Sequence, residues 1–211
     1  LDIISGNKPV FYFILLFLPL LGKAQQNLVP NGSFEEYWQC PQGNDLNDGQ
    51  LERCKYWWKP TMGTSDYYNS CNTGSVGVPN NFWGYQNAFH GNAYIGMVPI
   101  EFDVNGSYIG NEYIRTELIY PLKPCHTYQF RMYVSFANYS TIGVGDFGVW
   151  FSKENYFEPI FSFLEKEAQL VYDGMSIIDT LNWVKIEGNI NATGSEKYLT
   201  IGYFKDNTES D

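Results

Sequence analysis

Basic charge, histidine and helical periodicity are all scarce in this sequence, and each scarcity removes a class of function. Lys and Arg number 13 against 23 Asp and Glu, a net charge of −10. With no basic stripe, the attraction to phosphate on which nucleic-acid binding rests is missing. The acidic balance instead favours solubility and suits divalent cations. The two histidines, His90 and His126, are far apart, and no C-x-x-C or H-x-x-x-H spacing occurs, which disfavours zinc. No G-x-S-x-G elbow is present, and no Ser is placed by sequence beside either His. Glycosidases need two opposed carboxylates. Asp66 with Asp146, or Glu112 with Glu117, can be nominated, but an acidic chain offers many such pairs. The chain therefore reads as a non-enzyme, with a glycan-active hydrolase as the last alternative.

Long apolar runs are just as scarce. One occurs, from Val10 to Leu21, behind Lys8 and ahead of Gly22-Lys23-Ala24. A charged lead, a short apolar stretch and a small-x-small site predict a signal peptide over 1–24. The run is shorter than the ~20 residues a bilayer span requires, and Pro19 sits near its end. No second run of that length follows, so no transmembrane segment is expected in the mature chain, 25–211. Losing Lys8, Lys23 and Asp2 with the leader takes the net charge from −10 to −11. The expected destination is the periplasm, the outer-membrane surface or the medium. Cys40, Cys54, Cys71 and Cys125 all lie in the mature part, and an even count in an exported chain predicts two disulfides. Four cysteines allow three pairings. Cys40–Cys54 with Cys71–Cys125 is preferred, because the first pair closes a short Gly/Asn/Asp-rich loop.

Aromatics and strand patterns are what the sequence has in quantity: 18% aromatic residues, with 17 Tyr. Tyr128, Phe130, Met132, Val134 and Phe136 alternate with Gln129, Arg131, Tyr133 and Ser135, which predicts a strand with one buried face. Ile114, Thr116, Leu118 and Tyr120 repeat the pattern, as do Val184, Ile186 and Ile190, and Leu199, Ile201 and Tyr203. Further strands are expected at 28–34, 93–98, 146–152 and 168–172. A helix is conceivable only at 153–166, where Pro159 interrupts it. Short strands separated by Asn/Gly/Pro/Ser clusters predict an all-β antiparallel sandwich. The stretch 37–92 is rich in Cys, Trp, Asn, Gly and Pro with little alternation. It reads as long, disulfide-stapled loops of the kind that carry function.

Several phrases then occur in order. Asn27-Leu-Val-Pro-Asn-Gly-Ser-Phe-Glu35 opens the mature chain. Cys40-Pro41, Trp57, Pro60-Thr61-x-Gly63-Thr64-x-Asp66-Tyr67-Tyr68-Asn69-x-Cys71, Val78-Pro79-Asn80-Asn81-Phe82-x-Gly84-Tyr85-Gln86 and Gly91-Asn92-Ala93-Tyr94-Ile95-Gly96 follow, then the strand Tyr128 to Ala137. As a set over roughly 27–206 they resemble the N-terminal jelly-roll domain of exported Bacteroidota surface proteins. That domain is of the carbohydrate-binding-module or galactose-binding-like type and often precedes an OmpA-type or type IX secretion sorting domain. The resemblance implies a jelly-roll sandwich. It also implies a structural calcium near Glu35 or Glu36, at the end of the first strand. In the family pattern a last strand resembling YYxIDDV supplies an Asp to that calcium. No such strand occurs before Asp211, so the expectation is a module lacking its final strand.

Sugars offer C–H faces to aromatic rings and hydroxyls to amides and carboxylates. Trp57, Trp58, Tyr67, Tyr68, Trp83 and Tyr85 lie among Asp66, Asn69, Asn80, Asn81 and Gln86, a mixture a glycan site needs; rings packed as a satellite core are the competing reading. Asp45, Asn47 and Asp48 form an oxygen-rich loop without the twelfth-position Glu of an EF-hand. Asp179-Thr180-Leu181 resembles a short O-glycosylation acceptor. The expected function is a non-catalytic surface binding or adhesion module, with glycan or cell-surface polysaccharide as partner. A structural spacer of an anchored protein is the alternative.

Overall fold

The computed structural model describes residues 26–43, 49–102, 105–141, 143, 145, 147–172, 174 and 176–204. The expected signal peptide, the loop at 44–48 and Asp146 lie outside the described residues. A 3-10 turn covers Leu51–Arg53. The strands are β1 (Trp57–Trp58), β2 (Asp66–Asn69), β3 (Asn80–Asn81), β4 (Gly84–Tyr85), β5 (Ala93–Gly96), β6 (Glu101–Phe102) and β7 (Tyr108–Gly110). They continue with β8 (Ile114–Glu117), β9 (Thr127–Val134), β10 (Phe147–Ser152), β11 (Leu170–Val171), β12 (Val184–Asn191) and β13 (Tyr198–Tyr203). Among the described residues no helix is long and apolar enough to cross a membrane.

The architecture is an open antiparallel β-sandwich. One layer is a five-stranded sheet in the order β1-β8-β13-β10-β11. The other consists of two ribbons, β2-β5 and β9-β12. Alternation in the sequence dictates which face of each strand is buried. On β12, Ile186 and Ile190 are buried while Lys185, Glu187 and Asn189 face out. On β9, Phe130, Met132 and Val134 join the core, and Gln129 and Arg131 are exposed. Phe147, Val149 and Phe151 of β10 meet them from the opposite sheet, with Ile114, Leu199 and Ile201. Fully burying one such side chain stabilises by roughly 1.5–3 kcal/mol.

The five-stranded sheet is buried on its outer face too. Tyr113, Leu164 and Phe204 form a second cluster there with Trp150, Ile160 and Ala168. The cover is 153–166, the one stretch where the sequence makes a helix conceivable. Pro159 and its neighbours form no helix and lie across the sheet as a strap. Glu158 N–H donates to Pro60 O, Met62 N–H to Ile160 O and Asn111 N–H to Phe161 O. Hydrogen bonds to other segments replace the i→i−4 bonds of a helix. Beneath the strap Arg115 is 1% exposed. Its Nε donates to Thr200 Oγ1 at 2.7 Å, and its guanidinium also bonds Tyr156 O and lies 5.6 Å from the Trp150 ring. Burial away from water pulls its pKa down to about 10.

Three expectations are corrected. Residues 28–34 form a turn rather than a first strand, because Asn31 (φ 47°) and Phe34 (φ 63°) adopt left-handed conformations and Phe34 N–H closes on Asn31 O. The 37–92 stretch is not only loops: β1 joins the large sheet by pairing with β8, and β2 pairs with β5. The disulfide is Cys40–Cys71; neither Cys40–Cys54 nor Cys71–Cys125 forms. Cys54 is opposite Tyr37 in an isolated bridge, its thiol turned inward to Asn31 Nδ2 at 3.3 Å. Cys125 is exposed in the turn before β9, held to Ala192 O. The staple therefore closes within the 37–92 stretch.

Candidate functional site

An open cleft of about 970 Å³ enters the second layer between its two ribbons. It is lined by inward residues of β5 and β9 (Ile95, Phe130, Met132, Val134) and by outward ones (Tyr94, Arg131, Tyr133). Among the described residues, β5 pairs only with β2 and β9 only with β12, so the layer is split where the cleft lies.

Two groups of rings stand at this cleft. The first is carried by the β3–β4 hairpin, where Phe82 and Trp83 meet edge to face at 5.5 Å and Tyr85 is 53% exposed. Gly84 makes the placement feasible. Its φ is 129°, and a Cβ there would lie 2.3 Å from Asn138 Oδ1, so only glycine lets the hairpin approach residue 138 this closely. Asn138 Oδ1 accepts from Tyr85 N–H at 2.6 Å, and Tyr139 N–H donates to Trp83 O. The second group sits on the outer face of β9–β12. Phe89 stacks on Tyr133 with centroids 3.7 Å apart and planes at 16°. Trp183 stands nearly perpendicular to Phe89 at 6.3 Å and to Tyr94 at 5.8 Å. Its Nε1 donates to Asn87 O, which anchors the loop bearing Phe89. Gln86 joins the two groups by donating from Nε2 to Ser135 Oγ. Asn81 Nδ2 donates to the Tyr94 hydroxyl, whose pKa burial pushes up to about 12.

The sequence-predicted residues divide three ways. Trp83, Tyr85, Gln86 and Asp66 all line the cleft. Trp57 (4% exposed), Tyr67 (0%) and Tyr68 (1%) are packed in the interior, although Trp57 and Tyr68 also contribute to the cleft's lining. The Trp57 indole donates to Asn31 O and meets Phe34 edge to face. The Tyr67 hydroxyl donates to Phe34 O and accepts from Asn69. The Tyr68 hydroxyl donates to Asp66 Oδ2; burial, more than the nearby Asp66 charge, drives its pKa well above the ordinary tyrosine range. Trp58 lies beside Tyr198 in the five-stranded layer. The pattern pointed to neither Tyr133 nor Trp183, yet both had a signal. Tyr133 is a large ring on the polar side of β9, between Arg131 and Ser135, and Trp183 continues the exposed series of Lys185 and Glu187.

The carboxylates nominated for chemistry have other partners. Glu112 is buried and accepts from Thr64 N, Thr64 Oγ1 and Val98 N at 2.9, 2.8 and 2.7 Å. Desolvation raises its pKa above the ordinary glutamate value. Glu117 pairs with Lys197. Glu35 accepts from Asn92 N and Nδ2 at 2.7 and 3.2 Å, while Glu36 is 3.9 Å from Lys55 Nζ. Among the described residues no three His, Cys, Asp or Glu side chains converge as a metal site. Thr180 follows Asp179, whose carboxylate closes the turn by accepting from Leu181 and Asn182 N–H. No family model matches the sequence, and no curated protein or solved structure shows detectable similarity to it.

Proposed function

We propose that this chain is a non-catalytic, exported binding module of the jelly-roll carbohydrate-binding type, and that its ligand is a glycan held in the split of the second layer. The observation that carries this reading is the gathering of rings and amides from separate segments at one open cleft. Phe82, Trp83, Tyr85 and Phe89 come from the hairpin region and the loop after it, Tyr133 from β9, and Trp183 from just ahead of β12. Ring faces suit sugar C–H groups, while Asn81, Gln86 and Asn138 supply amides for hydroxyls. The Cys40–Cys71 disulfide suits an oxidising compartment, which supports export.

Affinity gel electrophoresis through a panel of polysaccharides tests the reading. Retardation by at least one polymer is expected, and it should fall away in Trp183→Ala with little loss of melting temperature. Mobility unchanged across the panel would favour a structural spacer instead. The Phe89–Tyr133 stack favours that second reading, because each ring already covers a face of the other.

A further inference from the structure

The ligand's charge and length are also written in the cleft. Asp66 and Glu101 contribute carboxylates to its lining, while the Glu112 carboxyl is buried and taken up by Thr64 and Val98. Among the described lining residues Arg131 is the one permanent cation, and its Nε lies 3.6 Å from Glu187. The cleft is therefore net negative in a chain of charge −10. At physiological ionic strength charges interact over about 8 Å, so an anionic sugar entering the cleft meets repulsion without a bidentate arginine to offset it. The rings set the length. Phe82, Trp83 and Tyr85 form one contact area and Phe89, Tyr133 and Trp183 another, with the Gln86–Ser135 bond between them. A cleft of about 970 Å³ is at the upper end of the roughly 300–1,000 Å³ of ligand pockets, more room than one sugar ring needs.

We infer that the cleft takes an internal segment of an uncharged oligosaccharide long enough to touch both ring groups, and that it excludes uronate polymers and single sugars. This rests on the glycan reading above, deepening it to a ligand class. The discriminating experiment uses the full chain with three kinds of probe. Neutral polymers (laminarin, galactan, xylan) and anionic ones (alginate, polygalacturonate) are compared by gel retardation. Hexasaccharides of any retarding polymer are compared with its monosaccharide by calorimetry. Expected are retardation by a neutral polymer, none by the anionic pair, and a hexasaccharide affinity more than about tenfold that of the monosaccharide, or 1.4 kcal/mol. Trp83→Ala and Phe89→Ala, on different ring groups, should each lower hexasaccharide affinity by a similar factor. Glu101→Lys, on exposed β6, should admit the anionic polymers. Anionic retardation equal to neutral, or a monosaccharide binding as well as the hexamer, overturns this inference and leaves the glycan reading standing. No retardation by any polymer overturns both.

Discussion

Breaking the Cys40–Cys71 bridge has a magnitude that follows from chain topology. The two cysteines are 31 residues apart in sequence, and closing a loop of that length removes unfolded-state entropy worth about 3.7 kcal/mol at 25 °C. The loop contains the 3-10 turn, β1 and all of β2, so its loss acts on both layers. A Cys40→Ser/Cys71→Ser double variant should melt roughly 7–15 °C lower, at ~2–4 °C per kcal/mol for a chain of this size. The remaining thiols make a sharp control. Cys54 is 1% exposed, and burial pushes its pKa up to about 12, so it carries almost no thiolate at neutral pH and cannot exchange into the bridge. Alkylation followed by intact mass should show one modification on the native protein, at exposed Cys125. Unfolding without reductant should give two, and unfolding with reductant four. A melting loss under ~2 °C for the double variant, or Cys54 found in a bridge with Cys40 on non-reducing digestion, would refute the reasoning.

Core and cleft rings should respond oppositely. Trp57→Ala is expected to cost ~3–5 kcal/mol of stability in urea unfolding. Tyr133→Ala should cost less stability but weaken glycan binding by about 1–3 kcal/mol, by analogy with base stacking; equal stability losses would contradict the assignment. Gly84→Ala should displace the hairpin from Asn138 and abolish binding, at a stability loss of about 1–3 kcal/mol from the strained backbone, read by calorimetry and thermal denaturation on one sample. Arg115→Ala leaves Thr200 and the Tyr156 carbonyl without their donor and opens a cavity, so a loss of roughly 3–5 kcal/mol is expected from urea midpoints. Glu112 has a folded pKa raised by desolvation. Its contribution to stability is therefore full below the ordinary glutamate pKa and is lost as pH rises through the raised value. Glu112→Gln should flatten that slope, and an unchanged pH profile would show that the three donors outweigh burial.

The all-β class was legible because alternation is a local property: β9, β10, β12 and β13 all fall within a residue or two of their expected bounds. The strap and the opening turn were not legible. Their conformations are decided by partners distant in sequence, such as Pro60 and Asn111 for the strap, and by left-handed residues other than glycine at Asn31 and Phe34. Loop length misled the cysteine pairing, since proximity in sequence says nothing of where a thiol points. The site was half legible. Trp83, Tyr85 and Gln86 sit in one amide-flanked phrase that advertises them. Tyr133 and Trp183 reach the same cleft only through strand pairing, and Trp57 and Tyr67 advertise a surface role that burial denies.

The split second layer has a consequence for motion. A two-stranded ribbon is marginal on its own, and among the described residues two such ribbons share one side of the core without a common ladder. Outside that core they meet across the gap through the Tyr94–Trp183 ring contact and through the β3–β4 hairpin region, which bonds to the segment after β9 by Gln86 to Ser135 and Tyr85 N–H to Asn138. Each ribbon can therefore open as its own cooperative unit, at lower free energy than the five-stranded sheet. Amide exchange would register this as two fast leaves over one slow slab. A molecule bridging both leaves would slow their exchange together, so the breathing of the fold would report occupancy even where no residue shifts position.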